Sequence, residues 1–107
     1  MKTFFERNLD ASFVDAAMSV IGELNTSFSS HEFIQKFAKQ NEAVYVEWLY
    51  NAKDSQNGAF QTVHQEVGRR LLNCSKKGLL PIRKIGNVAG VNVFGNPDEI
   101  AMWEKIK

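Results

Sequence analysis

The sequence has little cysteine, little proline and no long apolar run. Cys74 is the one cysteine among 107 residues, so no intrachain disulfide can form and a reducing, cytoplasmic setting is expected. No stretch approaches the roughly 18–20 apolar residues of a membrane-spanning helix. Charged Glu6, Arg7 and Asp10 stand where a signal peptide needs its apolar core. We therefore expect one domain over residues 1–107 and no membrane partner.

Histidine is also scarce, and the chain shows no recognisable catalytic arrangement. His31 and His64 have no partner at metal-ligand spacing, and zinc would need a second cysteine. Cys74 falls on an apolar helix face, as an inert core thiol does. The sequence leaves a Cys–His nucleophilic pair undecided, because two such residues can be distant in the chain and adjacent in the folded protein. We expect no enzymatic activity, no cofactor and no metal.

The charge is unevenly distributed along the chain. Residues 1–66 carry five basic and nine acidic side chains, whereas residues 67–97 carry six basic side chains and no acid. The six are Arg69, Arg70, Lys76, Lys77, Arg83 and Lys84. Such a block favours an anionic partner. The alternative is that acidic helices elsewhere in the chain neutralise the block in space.

Helical periodicity dominates the first two thirds of the chain. A helix is predicted over about residues 11–24, and Ser29 with Glu32 forms a capping box that begins another. That second segment, to about residue 52, is either one kinked helix or two short ones. A further helix over about 59–75 has its apolar face on Phe60, Val63, Val67, Leu71 and Cys74.

The last third changes to strand-like patterning. Residues 79–85 and 91–94 predict a β-hairpin over 79–94, with the segment Gly86–Gly90 as its turn and Arg83 and Lys84 near its tip. Asn96 as cap and Pro97 at the first helical position predict a final helix over about 97–106. The sequence therefore predicts an α+β domain, mainly α, with three to five helices and a small antiparallel sheet.

This order of elements resembles that of winged-helix domains. In that family a helix-turn-helix, here about residues 30–75, is followed by a hairpin called the wing, here about 79–94. A short strand after the first helix joins the sheet. The stretches FSSHEFIQKF and NVFGNPDEIAMWEK are also similar to small bacterial winged-helix-like proteins.

The resemblance implies a double-stranded DNA-binding protein, in the manner of a transcriptional regulator. The helix over 59–75 would then lie in the major groove. Its base-contacting residues would be Gln61, Thr62, Gln65, Arg69 and Asn73. Phosphate contacts would come from Lys76, Lys77, Arg83 and Lys84.

Several features favour a different use of the same fold. Glu66 lies near the rim of the helix face that would meet DNA, and the pI of 7.9 is modest for a nucleic-acid binder. Winged-helix domains also serve as protein-interaction modules. The alternative is therefore a module whose cationic third meets an acidic protein. Trp103, on the predicted last helix, packs either on its own domain or on a second copy, which leaves a homodimer open.

Overall fold

Four helices and one three-stranded sheet make up the described part of the chain. The computed structural model describes residues 11–56, 58–91 and 97–106. The helices are Ala11–Gly22 (α1), Ser30–Gln40 (α2), Glu42–Asn51 (α3) and Ala59–Lys76 (α4). The strands are Ser27–Ser29 (β1), Ile82–Val91 (β2) and Pro97–Lys105 (β3), all antiparallel, in the spatial order β1-β3-β2. The fold is α+β and mainly α, as predicted, and it is compatible with a winged-helix-like arrangement.

Local signals in the sequence set several helix ends. The Glu32 backbone N–H donates to Ser29 Oγ at 3.0 Å, and the Ser29 N–H donates to Glu32 Oε1 at 3.0 Å. This confirms the predicted capping box. The helical register breaks at Asn41, so residues 30–51 form two short helices. Beyond the last turn of α4, Gly78 adopts a φ of +71°, a left-handed conformation that favours glycine.

One cluster of buried apolar side chains joins the helices to the sheet. The rings of Phe37 and Trp48 stack with their centroids 5.2 Å apart. From α4 the cluster takes Val63, Val67, Leu71 and Cys74, which confirms the predicted inward face. Phe60 is the exception, because it is 44% exposed. It lies in the first turn of α4, beyond the edge of the core, and its ring meets His64 edge-on.

The segment Pro97–Lys105 is a strand, so the predicted helix over 97–106 is wrong. β3 is the central strand, and its Trp103 lies opposite Phe28 of β1 and Lys84 of β2. Pairing with β2 along its length, and with β1 over Met102–Glu104, satisfies backbone polar groups of this segment and outweighs the helix-start signal in its sequence. Trp103 is 1% exposed, whereas Ile106, just beyond the end of β3, is 48% exposed.

The first strand of the predicted hairpin also continues further along the chain than predicted. Residues Ile82–Val91 form one strand, so the turn predicted at Gly86–Gly90 is wrong. The register slips between Lys84 and Gly86, which leaves Ile85 without a partner in β3 as a β-bulge. The rest of the predicted return strand, residues 92–94, and the predicted cap Asn96 lie outside the described residues.

Candidate functional site

One face of helix α4 packs against the core, and the opposite face lies at the surface. Val63, Val67 and Leu71 are at most 1% exposed, so the opposite side of the helix faces outward. Gln61, Gln65 and Arg69 are exposed on that side, at the one-turn spacing that the sequence predicts. Thr62 and Asn73 are only partly exposed. Three of the five predicted base-contacting side chains are therefore well exposed at the surface.

Two of these five side chains already have partners within the fold. Thr62 Oγ1 lies 2.7 Å from Ser55 Oγ, in the connection before α4. The Arg69 guanidinium donates to the carboxylate of Glu66, with Nε 3.2 Å from Oε2. Glu66 is thus the ion-pair partner of the one arginine predicted to contact a base. Arg69 therefore does not have all five of its N–H groups free to meet a base.

The amino-terminal half of α4 forms one wall of a cleft. The cleft has a volume of about 400 Å³ and lies between α4, the start of α2 and the first half of β3. Gln61 and Gln65 line it on the α4 side, and Asp98 and Glu99 line it on the β3 side. Neither carboxylate forms an ion pair with any residue of the described ranges. The amides predicted to contact bases therefore face two acidic side chains.

The fold brings the two histidines to this same cleft. His31 of α2 and His64 of α4 both line it. His64 Nε2 lies 2.7 Å from the Tyr45 hydroxyl, and the two rings stack. Burial, together with the neighbouring His31, lowers the pKa of His64, so the ring is neutral at pH 7. His64 therefore adds no positive charge to offset the two carboxylates at this pH.

The opposite end of α4 carries the cations. The Ser75 hydroxyl donates to the Ile82 carbonyl at 2.7 Å, which fixes the last turn of α4 against the start of β2. We call the four exposed cations beside this contact the cationic joint: Lys76, Lys77, Arg83 and Lys84. The four residues predicted to contact phosphates thus lie on two segments that this hydrogen bond joins. Arg83 and Lys84 lie at the base of the hairpin, so their predicted position near its tip is wrong.

Most of the charge in the cationic joint is available for a partner. The Arg83 guanidinium pairs with Glu104, its neighbour across the β2–β3 ladder. Lys76, Lys77 and Lys84 have no carboxylate within ion-pair distance among the described residues. Leu79 and Ile85, 51% and 48% exposed, add apolar surface beside them. The joint can therefore hold anionic groups next to an apolar contact.

Cys74 and His64 do not form a nucleophilic pair. Ten residues of the same helix separate them, which corresponds to about 15 Å along its axis. Burial raises the pKa of the Cys74 thiol, and the nearby cations Arg70 and Lys77 only partly oppose that rise. The thiol is therefore protonated at pH 7 and packs as a core side chain, as the sequence predicts.

The exposed edge of β2 is the feature that sequence reasoning missed. Ile85, Val88 and Val91 are 47–59% exposed along this strand. The prediction of a turn at Gly86–Gly90 hid the continuity of the strand. A signal was present, since residues 85–91 contain no charge and place a β-branched residue at every third position.

Comparison with known proteins identifies no relative of this chain. Matching the chain against protein-family models, curated proteins and solved structures finds nothing in any of the three. Within the described residues, no helix combines the length and apolar character needed to cross a membrane. The geometry of α4 and the hairpin is therefore the basis for assigning a function.

Proposed function

We propose that this chain is a winged-helix-like interaction module that binds an acidic segment of another protein at the cationic joint. The Ser75–Ile82 hydrogen bond supports this, since it joins the end of α4, which carries Lys76 and Lys77, to the start of β2, which carries Arg83 and Lys84. The backbone of the two joined elements keeps these four positive charges near one another. Such a surface attracts and orients an acidic partner. The sole cysteine, Cys74, suits a cytoplasmic setting for this function.

The distribution of charge along α4 argues for the joint over the cleft. Gln61 and Lys76 are fifteen residues apart on one helix, or about 22 Å. That exceeds the Debye length of about 8 Å at physiological salt, so the two ends act separately. An anionic partner is attracted at the joint, whereas at the cleft it meets Asp98 and Glu99.

The proposal is tested by reversing charge at the joint. The probe is a short fluorescein-labelled peptide in which a run of consecutive glutamates is followed by a run of valines, and its binding is measured by fluorescence anisotropy in low salt. The double variant Lys76→Glu, Lys77→Glu should bind several-fold more weakly, since each exposed ion pair contributes about 0.2–1 kcal/mol. Raising the salt to about 0.15 M should weaken binding of the parent protein more than that of the variant.

Helix α2 supplies a matched control for this charge reversal. Lys39 lies in the last turn of α2, as Lys76 lies in the last turn of α4, and Lys36 lies one turn earlier, where it pairs with Glu23. The variant Lys36→Glu, Lys39→Glu makes the same change in net charge and should bind the peptide as the parent does. An equal decrease in both variants would show that net charge alone governs binding. No binding by the parent protein would refute the proposed function.

Duplex DNA is the second candidate partner. It is favoured by the exposed side chains of Gln61 and Gln65, one turn apart on α4, which have the chemistry to pair with adenine. Sites should first be selected from random duplexes. Gln65→Ala or Arg69→Ala should then cost about 1–3 kcal/mol on the selected site and little on random DNA. Arg83→Ala with Lys84→Ala should flatten the salt dependence, by roughly 0.9 in slope for each phosphate that the protein no longer neutralises.

One variant distinguishes the two candidate partners. Asp98→Asn with Glu99→Gln removes the carboxylates of the cleft without changing side-chain size much. If DNA lies along α4, this variant binds duplexes more tightly than the parent protein. If the partner is an acidic segment at the joint, the variant binds the glutamate–valine peptide with unchanged affinity.

A further inference from the structure

The edge of the sheet next to the cationic joint is unpaired among the described residues. The order β1-β3-β2 leaves one side of β2 without a neighbouring strand over Ile82–Val91. Backbone N–H and C=O groups along such an edge can accept a further strand. Residues 83–89 are all exposed, so no helix or loop of the described chain covers this edge.

The two halves of this edge differ in chemistry. Arg83 and Lys84 lie at its start and point to opposite faces of the sheet, because successive strand residues alternate. From Ile85 to Val91 the strand carries no charge, and Val88 and Val91 are 47% and 59% exposed. A strand laid along this edge would therefore meet cations at one end and apolar side chains at the other.

We propose that the acidic partner binds as an added β-strand along β2. This inference rests on the proposed function and specifies how the partner binds. The partner segment is extended, with acidic residues beside Arg83 and Lys84 and β-branched residues beside Val88 and Val91. Backbone hydrogen bonds would supply affinity, and the charges would select acidic sequences. Because the two cations lie on opposite faces, acidic residues at consecutive positions of the partner can both be paired.

A second copy of this chain is a poorer occupant of the same edge. β2 carries only positive charge, so pairing two β2 strands creates no ion pair between them. The bulge at Ile85 also interrupts the regular spacing that a self-paired edge would need in both copies. An acidic segment, in contrast, can form ion pairs with the cations of β2.

Amide hydrogen exchange on the intact protein tests this mode of binding. The probe is the glutamate–valine peptide at about ten times its dissociation constant. If it adds as a strand, exchange of the outward-facing amides of β2 should slow by about tenfold, because only about a tenth of the protein remains unbound. Amides that already bond to β3 should change less. Binding through side chains alone would leave all β2 amides exchanging as in the free protein.

Modified peptides separate the failure of this mode from failure of the proposed function. N-methylation of alternate amides along one edge of the peptide removes donors without changing its charge. One of the two edge-methylated peptides should bind at least about tenfold more weakly, a loss of about 1.4 kcal/mol. If both bind as the parent peptide does, strand addition is refuted while binding at the joint stands. If the unmodified peptide does not bind, the proposed function is refuted.

The oligomeric state of the free protein tests whether a second copy already occupies the edge of β2. Sedimentation over a range of protein concentrations should show a monomer, with outward β2 amides exchanging rapidly. A dimer whose β2 amides are already protected without peptide would show that a second copy occupies the edge, and would overturn the proposal.

Discussion

The two ends of helix α4 present opposite surfaces to a partner. At its start, Gln61 and Gln65 face Asp98 and Glu99 across a cleft. At its end, the cationic joint adjoins the free edge of β2. One helix with a continuous buried face thus carries two regions that attract oppositely charged groups. Residue types suited to DNA are therefore not enough to define a DNA-binding face, because the neighbouring strand decides its charge.

The largest expected effect comes from the core beneath both ends. Leu71 is fully buried, so Leu71→Ala should destabilise the fold by about 2–5 kcal/mol. Gln65→Ala, on the exposed side of the same helix, should change stability by no more than about 0.5 kcal/mol. Urea unfolding monitored by circular dichroism measures both. Equal stability of the two variants would mean that the faces of α4 are assigned wrongly.

A smaller effect is expected where α4 meets the cationic joint. Gly78 has a φ of +71°, so Gly78→Ala should cost about 1–2 kcal/mol. Gly68 is the matched control, because it lies inside α4 and a methyl group there would meet nothing within 4 Å. Gly68→Ala should stabilise the helix by about 0.5–1 kcal/mol. Thermal melts of both variants measure these changes in stability. A shift of the melting temperature in the same direction in both variants would contradict the prediction.

The stability of the folded protein should depend on pH through His64, which lies at the cleft end of α4. Its pKa in the folded protein lies below the ordinary value of 6.5, so the unfolded chain binds more protons as the pH falls below that value. The contribution of His64 is therefore fully present above about pH 6.5 and is lost progressively as the pH falls through the folded pKa. Melting temperatures between about pH 5 and 7 should rise less steeply in His64→Gln than in the parent. An identical slope in both would show that burial of this ring does not govern the response.

The smallest effects should come from single charges at the joint. Glu104→Gln frees the Arg83 guanidinium from its intramolecular partner. Because exposed ion pairs contribute about 0.2–1 kcal/mol, binding of the glutamate–valine peptide should tighten by no more than about fivefold. Glu99→Gln at the cleft removes the same charge and should leave peptide affinity unchanged. Anisotropy titrations of both variants make the comparison, and an equal gain in both would show that position along α4 is irrelevant.

Local patterns predicted the helices because their signals lie within a few residues. The apolar face of α4 and the capping box at Ser29 depend only on nearby sequence. β3 could not be predicted in this way, since its pairing of Glu104 with Ser27 joins distant parts of the chain. Misassigning β3 also concealed the cleft, because Asp98 and Glu99 face α4 only when this segment is a strand.

The residues of the candidate site were easier to predict than their arrangement. All four cations of the joint were recognised from the charge block. Their gathering depends on the hydrogen bond between Ser75 and Ile82 and on β2 running unbroken through Gly86–Gly90. The glycines there indicate a turn by composition, but a bulge at Ile85 and pairing with β3 accommodate them in the strand.

Mapping the bound peptide onto the protein distinguishes binding at the cationic joint from binding at the cleft. Backbone amide chemical shifts of isotope-labelled protein should be followed during titration with the glutamate–valine peptide. If the peptide binds at the joint and along β2, the largest changes fall at residues 76–91, and those at Gln61 and Gln65 remain small. Largest changes at Gln61 and Gln65, with residues 76–91 unaffected, would contradict this mode of binding.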